Sequence, residues 1–159
     1  MGNFINKEFE IVPINWGNHK LVAKDTHSNT INLNELEEYP NCLYQVYGNS
    51  IIYGENKLLY IGQTNAFKRR LIEHIETDFN RILNLSFIIG RFEDENCNSK
   101  EILKLIENIL ICYVKPAYNS TNIKDIHPLS KEKSILILNK GYRGSLPLEC
   151  SNYWWPKKE

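Results

Sequence analysis

The chain has 159 residues, 19 Lys plus Arg against 19 Asp plus Glu, and a hydrophobic fraction of 42%. That length and balance suit one globular domain with modest extensions and exclude disorder, collagen and coiled coil. A net charge of +0 removes any bulk electrostatic case for nucleic acid or an anionic membrane, so a basic site must be local. No apolar run approaches the ~18 residues of a membrane helix. The opening MGNFINKEFE carries acids where a signal peptide carries bases, and Asn6 breaks a myristoylation pattern after Gly2. A cytoplasmic protein with no membrane partner is expected. Cys42, Cys97, Cys112 and Cys150 form no C-x-x-C pair and are expected to be free thiols.

In chain order, residues 9–15 and 19–25 read as two strands around Trp16-Gly17-Asn18, an N-terminal β-hairpin in which Pro13 confines the first strand to an edge or bulge. Residues 34–39 read as a short helix before Pro40-Asn41. Strands over 42–47 and 58–61, aromatic and β-branched, are expected to pair antiparallel. The connection over 48–57 reads as a surface loop or a small inserted hairpin. A helix over 65–76 and a buried strand over 85–92 follow. A long helix over 99–114 opens at Asn98, with Glu101 three residues on, and ends at Pro116. Another strand over 134–138 and a turn over 141–144 lead to the aromatic tail Tyr153-Trp154-Trp155, expected to pack on the core or on a second subunit.

Two helices carry polar residues where periodicity leaves little room for them. At 100° per residue from Ile102, the apolar arc of the second helix runs from about 300° through zero to about 180°, and Glu107 falls inside it at about 140°. A carboxylate there needs a cation, which a Lys or Arg ion pair would supply. In the first helix Phe67, Leu71, Ile72 and Ile75 form the apolar face, while Arg70 and His74 stand one turn apart at its margin. Both could reach one ligand, or both could be solvated or paired with Glu73. Tyr60-Ile61-Gly62 ends a strand just before this helix, and Gly62 permits a tight turn or close approach to a ligand.

Taken in order, Cys42-Leu43-Tyr44, Tyr60-Ile61-Gly62, Arg70 with His74, Glu107, and Pro116-Ala117-Tyr118-Asn119 resemble the GIY-YIG nuclease superfamily. The match covers residues 42–119, leaving an N-terminal extension (1–41) and a basic, aromatic C-terminal extension (120–159) outside it. The resemblance implies an α+β fold, a small antiparallel three-stranded sheet flanked by helices, and divalent-metal-dependent hydrolysis of phosphodiester bonds. Carried across by motif, Tyr44, Tyr60, Arg70, His74, Glu107 and Asn119 are the expected catalytic residues. Glu107 is the expected ligand of one Mg²⁺ or Mn²⁺. Cys42-Leu43 stands where the family has Gly-Ile, and the spacer of 15 residues between Tyr44 and Tyr60 is longer than usual.

On that reading Arg70 contacts the non-bridging phosphate oxygens and Tyr44 is the base for the attacking water, or the relay to one, with His74 as the alternative. Gly62, Lys68, Arg69, Lys140 and Arg143 are the candidate substrate-binding residues. DNA is the expected partner, with RNA left open, and the N-terminal hairpin is a candidate homodimer edge. An endonuclease of restriction, phage or mobile-element type is expected. The rival readings are a repair or branched-DNA nuclease of the same superfamily and a catalytically inactive nucleic-acid-binding module.

Overall fold

Every residue from 42 to 48 is buried, and a strand of that kind needs cover on both faces and partners on both edges. The computed structural model, which describes residues 9–18, 20–22, 36–94, 99–120 and 133–153, supplies all four. Strand β3 (Cys42–Ser50) pairs antiparallel with β4 (Gly54–Thr64) on one edge and with β5 (Leu83–Phe92) on the other. Helix α1 (Phe67–Glu76) packs Phe67, Leu71 and Ile75 with Tyr44, Val46, Phe87 and Ile89. Helix α2 (Lys100–Val114) packs Ile102, Leu105, Ile106 and Ile109 with Leu43, Ile61 and Ile88 from the opposite face. The alternation of side chains along β3 thus sends Tyr44 toward α1 and its neighbour Leu43 toward α2.

The sheet does not stop at these three strands. Among the described residues it has seven strands in the order β4-β3-β5-β1-β6-β7, where β1 is Phe9–Trp16, β6 is Ser134–Gly141 and β7 is Glu149–Ser151; β2 (Lys20–Leu21) also lies on β5. The expected α+β architecture of a small three-stranded sheet flanked by helices is therefore corrected. The sheet is mixed, with β1 and β6 parallel, and strand residues outnumber those of α1 and α2 about two to one. The reason lies at the second edge of β5. Ile88 and its neighbours would leave that edge open to pairing, and the N-terminal segment covers it, as β6 in turn covers β1.

The N-terminal hairpin is a second correction. β1 and β2 do not pair with each other: Ile14, Asn15 and Trp16 lie opposite Phe92, Arg91 and Gly90, and Lys20 and Leu21 lie opposite Phe87 and Ser86. Gly17 N donates to Ile89 O (2.9 Å) and Val22 N to Leu85 O (2.8 Å), so the chain runs on along β5. The register advances by one residue across Trp16-Gly17-Asn18, which is a bulge rather than a turn. Trp16 explains the difference. Its ring is buried against Gly90, where an added Cβ would stand 2.6 Å from Cζ3, and its Nε1 donates to Asn139 Oδ1 at 2.9 Å. With a neighbour on each side, β1 offers no dimer edge.

Smaller differences are local. Helix α2 opens on Ser99, whose Oγ accepts from Ile102 N at 3.2 Å, and Asn98 lies outside the described residues. The β3–β4 connection is a hairpin with a turn over residues 51–53, and residues 36–39 form no helix. Trp154 and Trp155 lie outside the described residues. Among those residues no helix is long and apolar enough to cross a membrane.

Candidate active site

The site grows from the pairing of β3 with β4. Tyr44 lies opposite Gly62 and Val46 opposite Tyr60, so both tyrosines share the α1 face. The register slips between Val46 and Tyr47, leaving Leu59 as an extra residue on β4 and aiming Tyr60 toward Tyr44, their ring centroids 5.9 Å apart. Gly62 is a matter of space. A Cβ there would stand 2.5 Å from both Cζ and Oη of Tyr44 and 2.7 Å from Cε1 of Tyr60, so only glycine lets the Tyr44 ring cross the strand.

Helix α1 brings Arg70 and His74 to the same place. Phe67, Leu71 and Ile75 anchor it in the core, and Phe67 meets the Tyr44 ring edge-on at 5.4 Å. His74 is buried, its Nε2 3.0 Å from Tyr44 Oη and its Nδ1 2.7 Å from Asp78 Oδ2. The Tyr60 ring lies 4.7 Å from the imidazole. Burial lowers the His74 pKa, Asp78 opposes that, and the Arg70 charge adds to the lowering. Burial also raises the pKa of both tyrosines, while the Arg70 guanidinium draws both down. Burial works against Arg70's own charge, yet Glu73 and the two tyrosine hydroxyls more than offset it and hold the arginine protonated. Arg70 Nη1 bridges to Glu73 at 3.1 Å, and Arg69 shares the same carboxylate at 2.9 Å.

Glu107 arrives from α2, across the open edge of β4. Its Oε1 accepts from Gln63 N at 3.1 Å, and among the described residues no salt bridge reaches its carboxylate. Burial pushes its pKa up to about 7, against the pull of the Gln63 N–H, Lys104 and Arg70. Its charge is felt by both tyrosines. Asn119 closes the same edge from the turn after α2, with Oδ1 accepting from Ile61 N and Nδ2 donating to Ile61 O, each at 2.9 Å. Tyr118 N donates to Leu59 O at 2.8 Å. Along the outer edge of β4, Leu59 O, Ile61 N, Ile61 O and Gln63 N thus each have a partner.

Tyr44, Tyr60, Gly62, Arg70, His74 and Glu107 are thereby brought together, with Asn119 bracing the strand behind them. Lys68 and Arg69 stand on the same helix; Lys68 N donates to Glu38 Oε1 (3.2 Å). Lys140 and Arg143 are not part of the cluster. Lys140 lies on β6, four strands across the sheet from β4, and bridges to Glu93 at 3.0 Å; Arg143 lies in the turn after β6, where its carbonyl accepts from Gln45 Nε2 at 3.4 Å, on the side of β3 away from Tyr44. A hollow of about 440 Å³ lined by Lys20, Tyr39 and Arg91 among others shares no residue with the cluster either. Asp78 is the residue that sequence reasoning missed. Its place four residues after His74, just past the helix end, is the signal that would have found it.

Among the described residues no three His, Cys, Asp or Glu side chains come together to cage a metal. What Glu107 offers is a largely desolvated carboxylate with, among the described residues, a hydrogen bond from Gln63 N and no ion pair, a donor suited to an ion that keeps most of its waters. No family model, no curated protein and no solved structure matches this chain.

Proposed function

We propose that this chain is a divalent-metal-dependent endonuclease that hydrolyses DNA phosphodiester bonds, of restriction, phage or mobile-element type and cytoplasmic, with residues 42–119 related to the GIY-YIG nucleases. The observation that carries the reading is convergence. Two phenols, a guanidinium, an imidazole and a partly buried carboxylate, drawn from β3, β4, α1 and α2, meet at one end of one strand. A core needs no such set, and each member answers a demand of phosphoryl transfer.

Arg70 is held protonated and half-exposed, so its planar fork is available to two non-bridging phosphate oxygens. The Tyr44 hydroxyl, hydrogen-bonded to a buried His74, is positioned to take a proton from an attacking water. Tyr60 completes the wall between Arg70 and His74. Glu107 would hold one Mg²⁺ or Mn²⁺, which when bound stabilises charge on the departing oxygen. That cation also answers the desolvated carboxylate that no ion pair compensates among the described residues.

The test is incubation of the purified chain with supercoiled plasmid, phage DNA, single-stranded DNA and RNA, each with Mg²⁺ and with EDTA, alongside Arg70→Ala. Metal-dependent cleavage lost in the variant is the expected result, and sequencing the ends reads the target. Binding without cleavage of any substrate would favour the inactive nucleic-acid-binding module instead.

A further inference from the structure

The candidate site holds one polar contact that the proposed chemistry has not used, the bond between His74 and Asp78. Asp78 follows α1 in the turn that carries Phe79 inward, and its side chain is 55% exposed, whereas His74 is 2% exposed. A carboxylate has no hydrogen to give, so at 2.7 Å the shared proton belongs to Nδ1. A neutral imidazole then has a bare lone pair on Nε2, and at 3.0 Å that nitrogen accepts from the Tyr44 hydroxyl. The phenolic hydrogen therefore points at His74, and the oxygen's lone pairs point away from it, toward the side where Arg70 lies. The Phe79 ring, 5.4 Å from the imidazole, and the Tyr60 ring, 4.7 Å away, hold the histidine in that orientation.

We propose that Asp78 is a positioning residue that fixes the tautomer of His74, so that Tyr44 hands its own hydrogen to Nε2 as it takes one from the attacking water. This assignment of direction rests on the nuclease reading, whereas the tautomer does not. In the step an O–H bond of water breaks and its proton goes to the Tyr44 oxygen. The Tyr44 O–H bond breaks and that proton goes to Nε2, while the water oxygen forms a bond to phosphorus and the ester P–O bond breaks. The departing oxygen takes a proton from solvent, the imidazolium returns its Nε2 proton to the Tyr44 oxygen as that oxygen releases the proton taken from water to solvent, and nothing is oxidised or reduced. Burial disfavours a lasting tyrosinate and a lasting imidazolium alike, so the two transfers are concerted. Asp78 acts through His74 and does not touch the substrate. Its role parallels that of the carboxylate behind the histidine of a hydrolase triad, although here the carboxylate is exposed.

The experiment is ¹⁵N–¹H correlation spectroscopy of the histidine side chains, assigned sequentially, in the wild-type protein and in Asp78→Ala and Asp78→Glu. Single-turnover cleavage is measured on the same three proteins. The expected result is a wild-type His74 protonated at Nδ1 and bare at Nε2. Asp78→Ala should move the proton toward Nε2 and slow cleavage at least 100-fold with KM unchanged, and Asp78→Glu should restore part of both. A wild-type His74 protonated at Nε2 overturns the proposal whatever the activity. So does an Asp78→Ala protein that changes tautomer and cleaves at the wild-type rate. If wild-type protein cleaves nothing, the nuclease reading fails on its own and the spectra still decide the tautomer. The exposed position of Asp78 makes a folding defect easy to separate, since the amide spectrum of Asp78→Ala should match that of wild type away from α1.

Discussion

Asn119 holds Ile61 by both of its backbone groups, accepting from its N–H and donating to its C=O at 2.9 Å each. The side chain does for the outer edge of β4 what a neighbouring strand would do. Ile61 lies between Tyr60 and Gly62, so this pairing fixes the backbone from which the site is built without touching its hydroxyls.

Asn119→Ala leaves two buried backbone groups without partners, at about 1–3 kcal/mol each. The expected loss is roughly 2–6 kcal/mol, read as a fall in the urea midpoint with unchanged slope, and cleavage should fall with it. An unshifted midpoint would mean that the edge is satisfied by water and the bracing role is absent.

Glu107 gives the fold a pH dependence opposite to that of most carboxylates. Its folded pKa of about 7 lies above the ordinary 4.5, so the folded chain holds this proton more tightly than the unfolded one. Its effect is absent below 4.5, and stability is lost as pH rises from there through about 7. The full loss is at most roughly 3 kcal/mol. Glu107→Gln keeps the acceptor for Gln63 N–H and should abolish that decline, making the variant more stable than wild type at pH 8 and equal to it at pH 4. Millimolar Mg²⁺ at pH 8 should raise the wild-type Tm and leave Glu107→Gln unmoved. Urea midpoints across this range and thermal scans with and without Mg²⁺ decide both points.

Gly62→Ala sets a methyl group 2.5 Å from the Tyr44 hydroxyl, among rings that cannot recede. Overpacking of this kind is expected to destabilise by about 1–3 kcal/mol. Displacement of the hydroxyl should cost far more in rate than in stability, and comparing kcat with the urea midpoint separates the two. A variant with wild-type kcat would show that the Tyr44 oxygen need not sit where it does.

Arg70→Lys should behave in the reverse proportion. The bridge from Arg70 to Glu73 is exposed and contributes little to stability, so the melting temperature should shift by no more than a degree or two. Loss of the planar fork should slow cleavage about 100-fold. Equal cleavage by the variant would remove Arg70 from the phosphate.

What the sequence made legible was whatever its local periodicity determines. The apolar stripes of α1 and α2, the aromatic and apolar run of β3 and the isoleucine-rich runs of β5 and β6 appear where the pattern puts them, within a few residues. The alternation of Val12, Ile14 and Trp16 shows that β1 buries one face, but period-2 patterning carries no information about which strand lies beside it, and Trp16-Gly17-Asn18 reads locally as a turn. Only the pairing with β5, Trp16 opposite Gly90 and Lys20 opposite Phe87, makes it a bulge. In the site, Tyr60, Arg70 and His74 were foreseeable as neighbours because strand and helix adjoin in sequence. Lys140 and Arg143 offer only charge, which gives no address in a sheet, and Asp78 is marked in the sequence only by its spacing of four from His74.

The measurement that tests the central claim most directly is single-turnover cleavage of a cleavable duplex at pH 8 with Mg²⁺, comparing wild type with Glu107→Gln. Urea midpoints of both proteins measured in the same buffer separate lost cleavage from lost folding. The account predicts cleavage by wild type and at least a 1000-fold slower rate in the variant; equal rates would show that this carboxylate, and the site assembled around it, is not where a phosphodiester bond is broken.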